Sequence, residues 1–299
     1  MITDFNVKYI PVFYHVPKCA GTYIKGQILS GLNQLLMSQR PRLKSVWLEF
    51  NSTVIAELYV VCRGSGLDKS KYVNLPSLKS ANHRRLMRSI KYEHFIGKYK
   101  ELNIDVVAVN INSDGFWMHE HICDFVKLAG GKGLQKYMIM RSPFERACSN
   151  FNYLKSSNSS HEKAHGSLKS ISIQDYLVSK EVESGWLLKC FAKPQHVANY
   201  CVMDNFEHIC RILDKFTIRD IKDCDRLIKL IFSECFSHPH DRKIYIDEEL
   251  GQRNSNKSSG FTPILEFLDD RTKEKTLENL KYDNMLYDRF VGNYYETNI

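Results

Sequence analysis

Tyr9-Ile-Pro-Val-Phe-Tyr-His-Val-Pro-Lys-Cys-Ala-Gly-Thr-Tyr-Ile24 decides how the rest of this chain is read. Ile10, Val12, Phe13 and Val16 make a short β-branched and aromatic run, the pattern of a buried strand. The run stops at Pro17, passes through Lys18-Cys19-Ala20-Gly21-Thr22, and enters an apolar-periodic helix through Ile24, Ile28, Leu32 and Leu35. Strand, small-residue turn, helix is the geometry of an anion site, because the first N–H groups of a helix have no intrahelical partner and its dipole favours negative charge there. Lys18 adds a mobile cation and Thr22 a hydroxyl donor, so the stretch reads as an oxyanion cradle. It does not match the phosphate-loop pattern G-x-x-x-x-G-K-[ST], since Cys19 follows Lys18 and no glycine precedes it. The bland alternative is a strand-to-helix turn carrying a surface lysine.

A second segment weighs against that alternative. Residues 136–154 read Lys-Tyr-Met-Ile-Met-Arg-Ser-Pro-Phe-Glu-Arg-Ala-Cys-Ser-Asn-Phe-Asn-Tyr-Leu. An apolar strand delivers Arg141 at its carboxyl end. Ser142 is placed to N-cap a helix with Pro143 at its first position and Glu145 at the capping-box position. An arginine at a strand end, with the Ser149 hydroxyl eight residues on, can close on a terminal phosphate from two sides. Open α/β sheets bind ligands at the carboxyl ends of their strands, where Lys18 and Arg141 both fall.

The remaining pattern suits such a sheet. Strands are expected at 10–16, 44–50, 58–62, 104–109 and 136–141, and helices at 20–37, 79–97, 122–129, 143–155, 172–180, 185–200, 206–215, 222–235 and 273–291. This alternation gives an α/β fold: a central parallel sheet flanked by helices, with a helical C-terminal half. Two polar stretches, 156–170 and 251–260, read as loops. No repeat or linker divides the chain, so residues 1–299 are taken as one domain. At 43% hydrophobic and 25% charged residues, composition is ordinary globular usage, with ample material for a core.

Composition also bounds function. No apolar run approaches the ~18 residues of a membrane span, and Met1-Ile-Thr-Asp-Phe lacks the pattern of a signal peptide. The nine cysteines are scattered, and none form a C-x-x-C pair, so they read as small buried hydrophobes in a reducing compartment. No His/Cys/Asp cluster suggests a metal. The net charge of +8 favours an anionic ligand, with basic residues gathered at 79–100 and 242–257.

On these residues the chain resembles a known family. His15-Val-Pro-Lys-Cys-Ala-Gly-Thr22 is similar to the H-[IV]-P-K-[TC]-[GA]-[GS]-T motif of the carbohydrate sulfotransferases related to heparan sulfate 2-O-sulfotransferase. There the loop holds the 5′-phosphosulfate of 3′-phosphoadenosine 5′-phosphosulfate (PAPS). Met140-Arg-Ser-Pro-Phe-Glu-Arg-Ala-Cys-Ser-Asn-Phe151 resembles the 3′-phosphate motif, [VL]-R-[DN]-P-x-x-R-x-x-S-x-[YF], with Arg141 and Ser149 at its ligand positions. Phe116-Trp-Met-His-Glu-His-Ile122 looks like the H-G-H-[VI] stretch that carries the general base, which makes His121 and His119 candidates. Arg253 and Lys257 stand in a stretch similar to a late basic loop that covers the nucleotide. The likeness spans 9–30 and 116–155 and is loose in the tail. Tyr23 stands where the family has a small Ser, Ser142 replaces Asp or Asn, and Ala20 replaces Gly.

The resemblance implies a P-loop-like three-layer fold and a PAPS-dependent sulfuryl transfer to an acceptor hydroxyl on a carbohydrate. Lys18, Cys19, Ala20, Gly21, Thr22, Tyr23, Arg141, Ser149, Arg253 and Lys257 would bind the nucleotide. Lys18 would stabilise the leaving group and His121 or His119 would take the proton, without a metal. The basic 79–100 stretch would suit an acidic glycan rather than nucleic acid as partner, and the oligomeric state stays open. The expected location is cytoplasmic, of bacterial type, or Golgi-lumenal if the chain is a trimmed catalytic domain. A P-loop-like kinase and a non-catalytic glycan-binding protein on this scaffold are the competing classes.

Overall fold

A computed structural model describes residues 6–36, 43–51, 53–62, 90–91, 104–156, 171–179, 182, 185–192, 202–237 and 265–292. Its centre is the strand quoted first. Strand β2 (Tyr9–His15) is buried from Ile10 to Tyr14, as expected of a strand covered on both faces. It pairs in parallel with β6 (Ile104–Asn112) on one side and β7 (Gly133–Met140) on the other. The seven-stranded sheet runs β5-β3-β4-β6-β2-β7-β8, with β3 at Leu43–Phe50, β4 at Thr53–Cys62, β5 at Ile90–Lys91 and β8 at Thr217–Asp220. A two-stranded ribbon joins β1 (Asn6–Val7) to β9 (Phe236–Ser237).

Helices cover both faces. Alternate β2 side chains Phe13 and His15 face α1 (Gly21–Leu36) and α7 (Cys224–Cys235), while Tyr14 faces α2 (His119–Gly130) and α5 (Trp186–Phe191). Helix α1 buries Ile24, Ile28, Leu32 and Leu35, one stripe at helical spacing. Where α1 crosses α7, Gly31 lies so close to the Phe232 ring that a Cβ would sit 2.3 Å from it. On the opposite face Tyr14 anchors an aromatic cluster with Phe116, Phe191 and Phe216, at centroid distances of 5.5, 6.3 and 4.4 Å. The C-terminal half adds α4 (Ile173–Val178), α6 (Val202–Leu213), α8 (Asp270–Asn279) and α9 (Lys281–Tyr287). Beside α3 (Pro143–Ser156), a satellite core forms around Cys148, Phe151, Tyr176 and Leu280.

The sheet is mixed rather than wholly parallel. The expected strands 44–50 and 58–62 are the arms of an antiparallel hairpin, and β4 also runs antiparallel to β6. Asn51, in the left-handed region at φ 48°, turns the chain at the hairpin and leaves no length for a crossover helix. Of the expected helix 79–97, only Ile90–Lys91 is described, and it pairs with β3 as a strand. The expected helix 273–291 starts earlier, at an Asp269 cap (Thr272 N donating at 2.9 Å), and breaks at Leu280. Strand β8 lies where the sequence reading placed only a connection between two helices.

Candidate functional site

The carboxyl ends of β6, β2, β7 and β8 form one edge, and the two quoted motifs meet there on neighbouring strands. After β2, Cys19 N donates to Val16 O at 3.2 Å and Ile24 N to Ala20 O at 3.0 Å, so Ala20 opens α1. The N–H groups of Gly21, Thr22 and Tyr23 thus precede the first intrahelical bond. Lys18 (φ 65°) and Ala20 (φ 53°) are both left-handed, a conformation that costs non-glycine residues about 1–3 kcal/mol each. Two such residues around Cys19 bend the loop tightly over the strand end.

Gly21 fits this turn by lacking a side chain. A Cβ there would sit 1.9 Å from His15 Cδ2 and 2.2 Å from Nε2. Gly21→Ala is therefore expected to lower stability by about 1–3 kcal/mol through overpacking, read as a shift in the urea midpoint. An unchanged midpoint would mean that the imidazole swings aside freely. Burial, with the nearby Lys25 charge, pushes the His15 imidazole down to about 4, although Glu57 pulls the other way. Neutral His15 therefore packs behind the loop, beside the Lys25–Glu57 ion pair that ties α1 to β4.

From the loop, Lys18 reaches α3: its Nζ lies 3.2 Å from the centroid of the Tyr153 ring. Burial lowers the Lys18 ammonium to about 8. Cys19 is buried and accepts from the Arg141 backbone N–H, and burial pushes its thiol up to about 12 despite Arg146 and Arg141 nearby. Thr22 is exposed. Tyr23 turns away from the loop, and its hydroxyl donates to Asp225 Oδ1 at 2.6 Å. That bond ties α1 to α7, a structural use of the position where the resembled family has Ser.

Arg141 follows β7, and its Nε donates to Glu145 Oε2 at 3.1 Å. Arg146 N donates to Ser142 O at 2.9 Å, so Ser142 does open α3. Ser149 lies partly buried in that helix, one turn before Tyr153. Lys18, Cys19, Arg141 and the helix bearing Ser149 are thereby brought together. His119 and His121 stand apart, at the start of α2 beyond the end of β6. His119 is buried, with its Nδ1 2.9 Å from Phe116 O and its ring against Phe191 and Tyr14. Burial, then the Lys136 charge, lowers it to about 4. His121 is exposed. Arg253 and Lys257 lie outside the described residues.

Sequence reasoning missed the wall of this site. A cleft beside Cys19 and Arg141 is closed by Arg146, Trp186, Asp283 and Tyr287. The Arg146 guanidinium lies 4.6 Å from the Trp186 ring centroid and 3.6 Å from Asp283. Asp283 also accepts the N–H groups of Trp186 and Leu187, at 3.3 and 3.2 Å. Tyr287 donates to Asp220 at 2.5 Å, at the end of β8. The cavity is about 20 Å³, enough for one water molecule. Arg146 was legible as part of the Arg-x-x-x-x-Arg spacing, whereas Asp283 carries no local signal.

Comparison of the chain with protein-family models, curated proteins and solved structures gives no match. The site must be judged on its own chemistry. Its donors are helix N–H groups, a lysine and hydroxyls, with two arginines that lie against Glu145 and Asp283, a set suited to an anion. Among the described residues, no group of His, Cys, Asp and Glu is placed to hold a metal ion, and no helix is long and apolar enough to cross a membrane.

Proposed function

We propose that the chain is a PAPS-dependent sulfotransferase of P-loop-like three-layer architecture, acting on an acceptor hydroxyl of a carbohydrate. One observation carries this reading. Two motifs far apart in sequence, each resembling one phosphate-holding half of the same nucleotide site, lie on adjacent parallel strands, with Lys18 against α3 and Cys19 against Arg141.

In this reading the N–H groups of Gly21 to Tyr23 and the Thr22 hydroxyl hold the 5′-phosphosulfate, and Arg141 and Ser149 hold the 3′-phosphate. The acceptor oxygen forms its bond to sulfur as the bond from sulfur to the bridging oxygen breaks. Lys18 donates to that bridging oxygen as the leaving phosphate gains charge. His121 takes the acceptor proton more readily than His119, because its imidazole is exposed while His119 is buried and depressed. An acidic glycan suits the basic stretch 79–100, most of which lies outside the described residues.

Thermal shift with adenosine 3′,5′-bisphosphate, ATP and heparin oligosaccharides tests the class. At a hundred times its Kd, a ligand specific for the native state stabilises it by about 2.7 kcal/mol. The bisphosphate is expected to raise Tm in this way, with transfer from PAPS to a glycan acceptor following. Stabilisation by ATP alone would point to a kinase, and by heparin alone to a binding protein. Arg141→Ala is expected to weaken bisphosphate binding about 10- to 100-fold by calorimetry, the worth of a charge-assisted contact. Unchanged affinity would remove Arg141 from the site.

A further inference from the structure

We propose that Tyr153 is a positioning residue for Lys18, holding the ammonium ready for the 5′ group without neutralising it. The proposal rests on the reading of the loop as a phosphosulfate cradle. It starts from the 3.2 Å approach of Lys18 Nζ to the Tyr153 ring centroid, the closest cation–ring contact among the described residues.

Three features make this contact more than incidental packing. Lys18 is left-handed at φ 65°, so the loop commits backbone strain to the conformation from which this side chain crosses to α3. Tyr153 falls four residues after Ser149, on the same side of α3, which places the ammonium along the face that carries the proposed 3′-phosphate contact. The partner is also an aromatic ring rather than a carboxylate. A carboxylate partner would offset the charge and compete with an incoming anion for the same N–H donors. A ring face attracts the cation through its quadrupole and leaves the N–H donors on the far side for a ligand. A lysine with four rotatable bonds is thus held in one place before the anion arrives.

The test uses the full chain carrying Tyr153→Leu or Tyr153→Phe, with two probes measured by calorimetry. Adenosine 3′,5′-bisphosphate has the 5′ group, and adenosine 3′-monophosphate lacks it. Tyr153→Leu is expected to weaken the bisphosphate about two- to five-fold, the worth of a partly exposed cation–π contact, and to leave the monophosphate unchanged. Tyr153→Phe keeps the ring and is expected to bind both as the unaltered chain does. In a Lys18→Ala background, Tyr153→Leu should have no further effect. Equal weakening of both probes by Tyr153→Leu, or loss with Tyr153→Phe, would overturn the proposal. A ligand-free measurement separates this outcome from failure of the site reading. Acetylation of Lys18 by acetic anhydride, followed by mass spectrometry, should speed up in Tyr153→Leu and not in Tyr153→Phe. If the unaltered chain binds neither nucleotide, the cradle reading fails; unchanged acetylation in Tyr153→Leu overturns the Lys18–Tyr153 pairing itself.

Discussion

Lys18→Ala is expected to cut sulfuryl transfer by about 10²- to 10³-fold, the loss seen when one donor to a developing negative charge is removed. The fold should survive the change. Lys18 is partly exposed at a turn, and its ring contact is worth about 0.5–1 kcal/mol, so the urea midpoint should move little while kcat collapses. The dependence on pH adds a second check. Burial lowers the ammonium from its ordinary range to about 8, so the donor is charged at neutral pH and is lost as pH rises through 8. Transfer should therefore fall on the alkaline side of that value. Arginine stays charged throughout, so whatever activity Lys18→Arg retains should lack this alkaline limb. Near-normal transfer by Lys18→Ala would exclude the loop from the chemistry.

The parts of the fold that could be read from the sequence are those whose signal is local. Strand β2 is apolar on both faces because helices cover both faces. Helix α1 declares itself through Ile24, Ile28, Leu32 and Leu35. Arg141 and Ser142 mark the β7–α3 junction because a strand end and a helix cap each have their own residue preferences. Strand direction is not local. The register of β4 between β3 and β6 is decided by the turn at Asn51 and by burial on the sheet, and an apolar run looks the same in either direction. Strand β8 was hidden for a related reason, since four residues between two helices carry too little periodicity to stand out.

The candidate site divides along the same line. Lys18, Thr22 and Arg141 stand out in the sequence because each lies at a strand-to-helix junction, whereas Ser149 lies inside α3 and is marked only by its place in the resembled motif. The Tyr23 hydroxyl is bonded to Asp225, a tie between α1 and α7 that its place in the loop motif does not reveal. His119 and His121 lie two residues apart and read alike in the sequence, yet one is packed against Phe191 and the other is exposed. Residues two apart within one helical turn point to nearly opposite sides, and it is the side turned to Phe191 of α5 that is buried. Asp283 belongs to α9, remote from both motifs in sequence, and reaches the site solely through tertiary folding.

Asp283→Ala is expected to be the most destabilising change near the site, by about 3–5 kcal/mol, since it leaves a paired and largely buried arginine without its counter-charge. The carboxylate serves two partners at once. It lies 3.6 Å from the Arg146 guanidinium, and it accepts the first two N–H groups of α5. Gly185, which opens α5 at φ 70°, has no side chain to do this. Asp283 thus caps from another helix what α5 cannot cap itself. Burial pushes its carboxyl above the ordinary range, against the pull of Arg146 and of the two amides. Asp283→Asn keeps an acceptor oxygen for α5 and loses only the charge, so its loss should be smaller, about 1–3 kcal/mol. Replacing Arg146 and Asp283 together by Met and Leu should cost less than Asp283→Ala, because no stranded charge is left behind. Urea unfolding gives all three values. A loss below 1 kcal/mol for Asp283→Ala would show that Arg146 finds water or another partner, and the cleft wall would then be held by α3 and α5 alone.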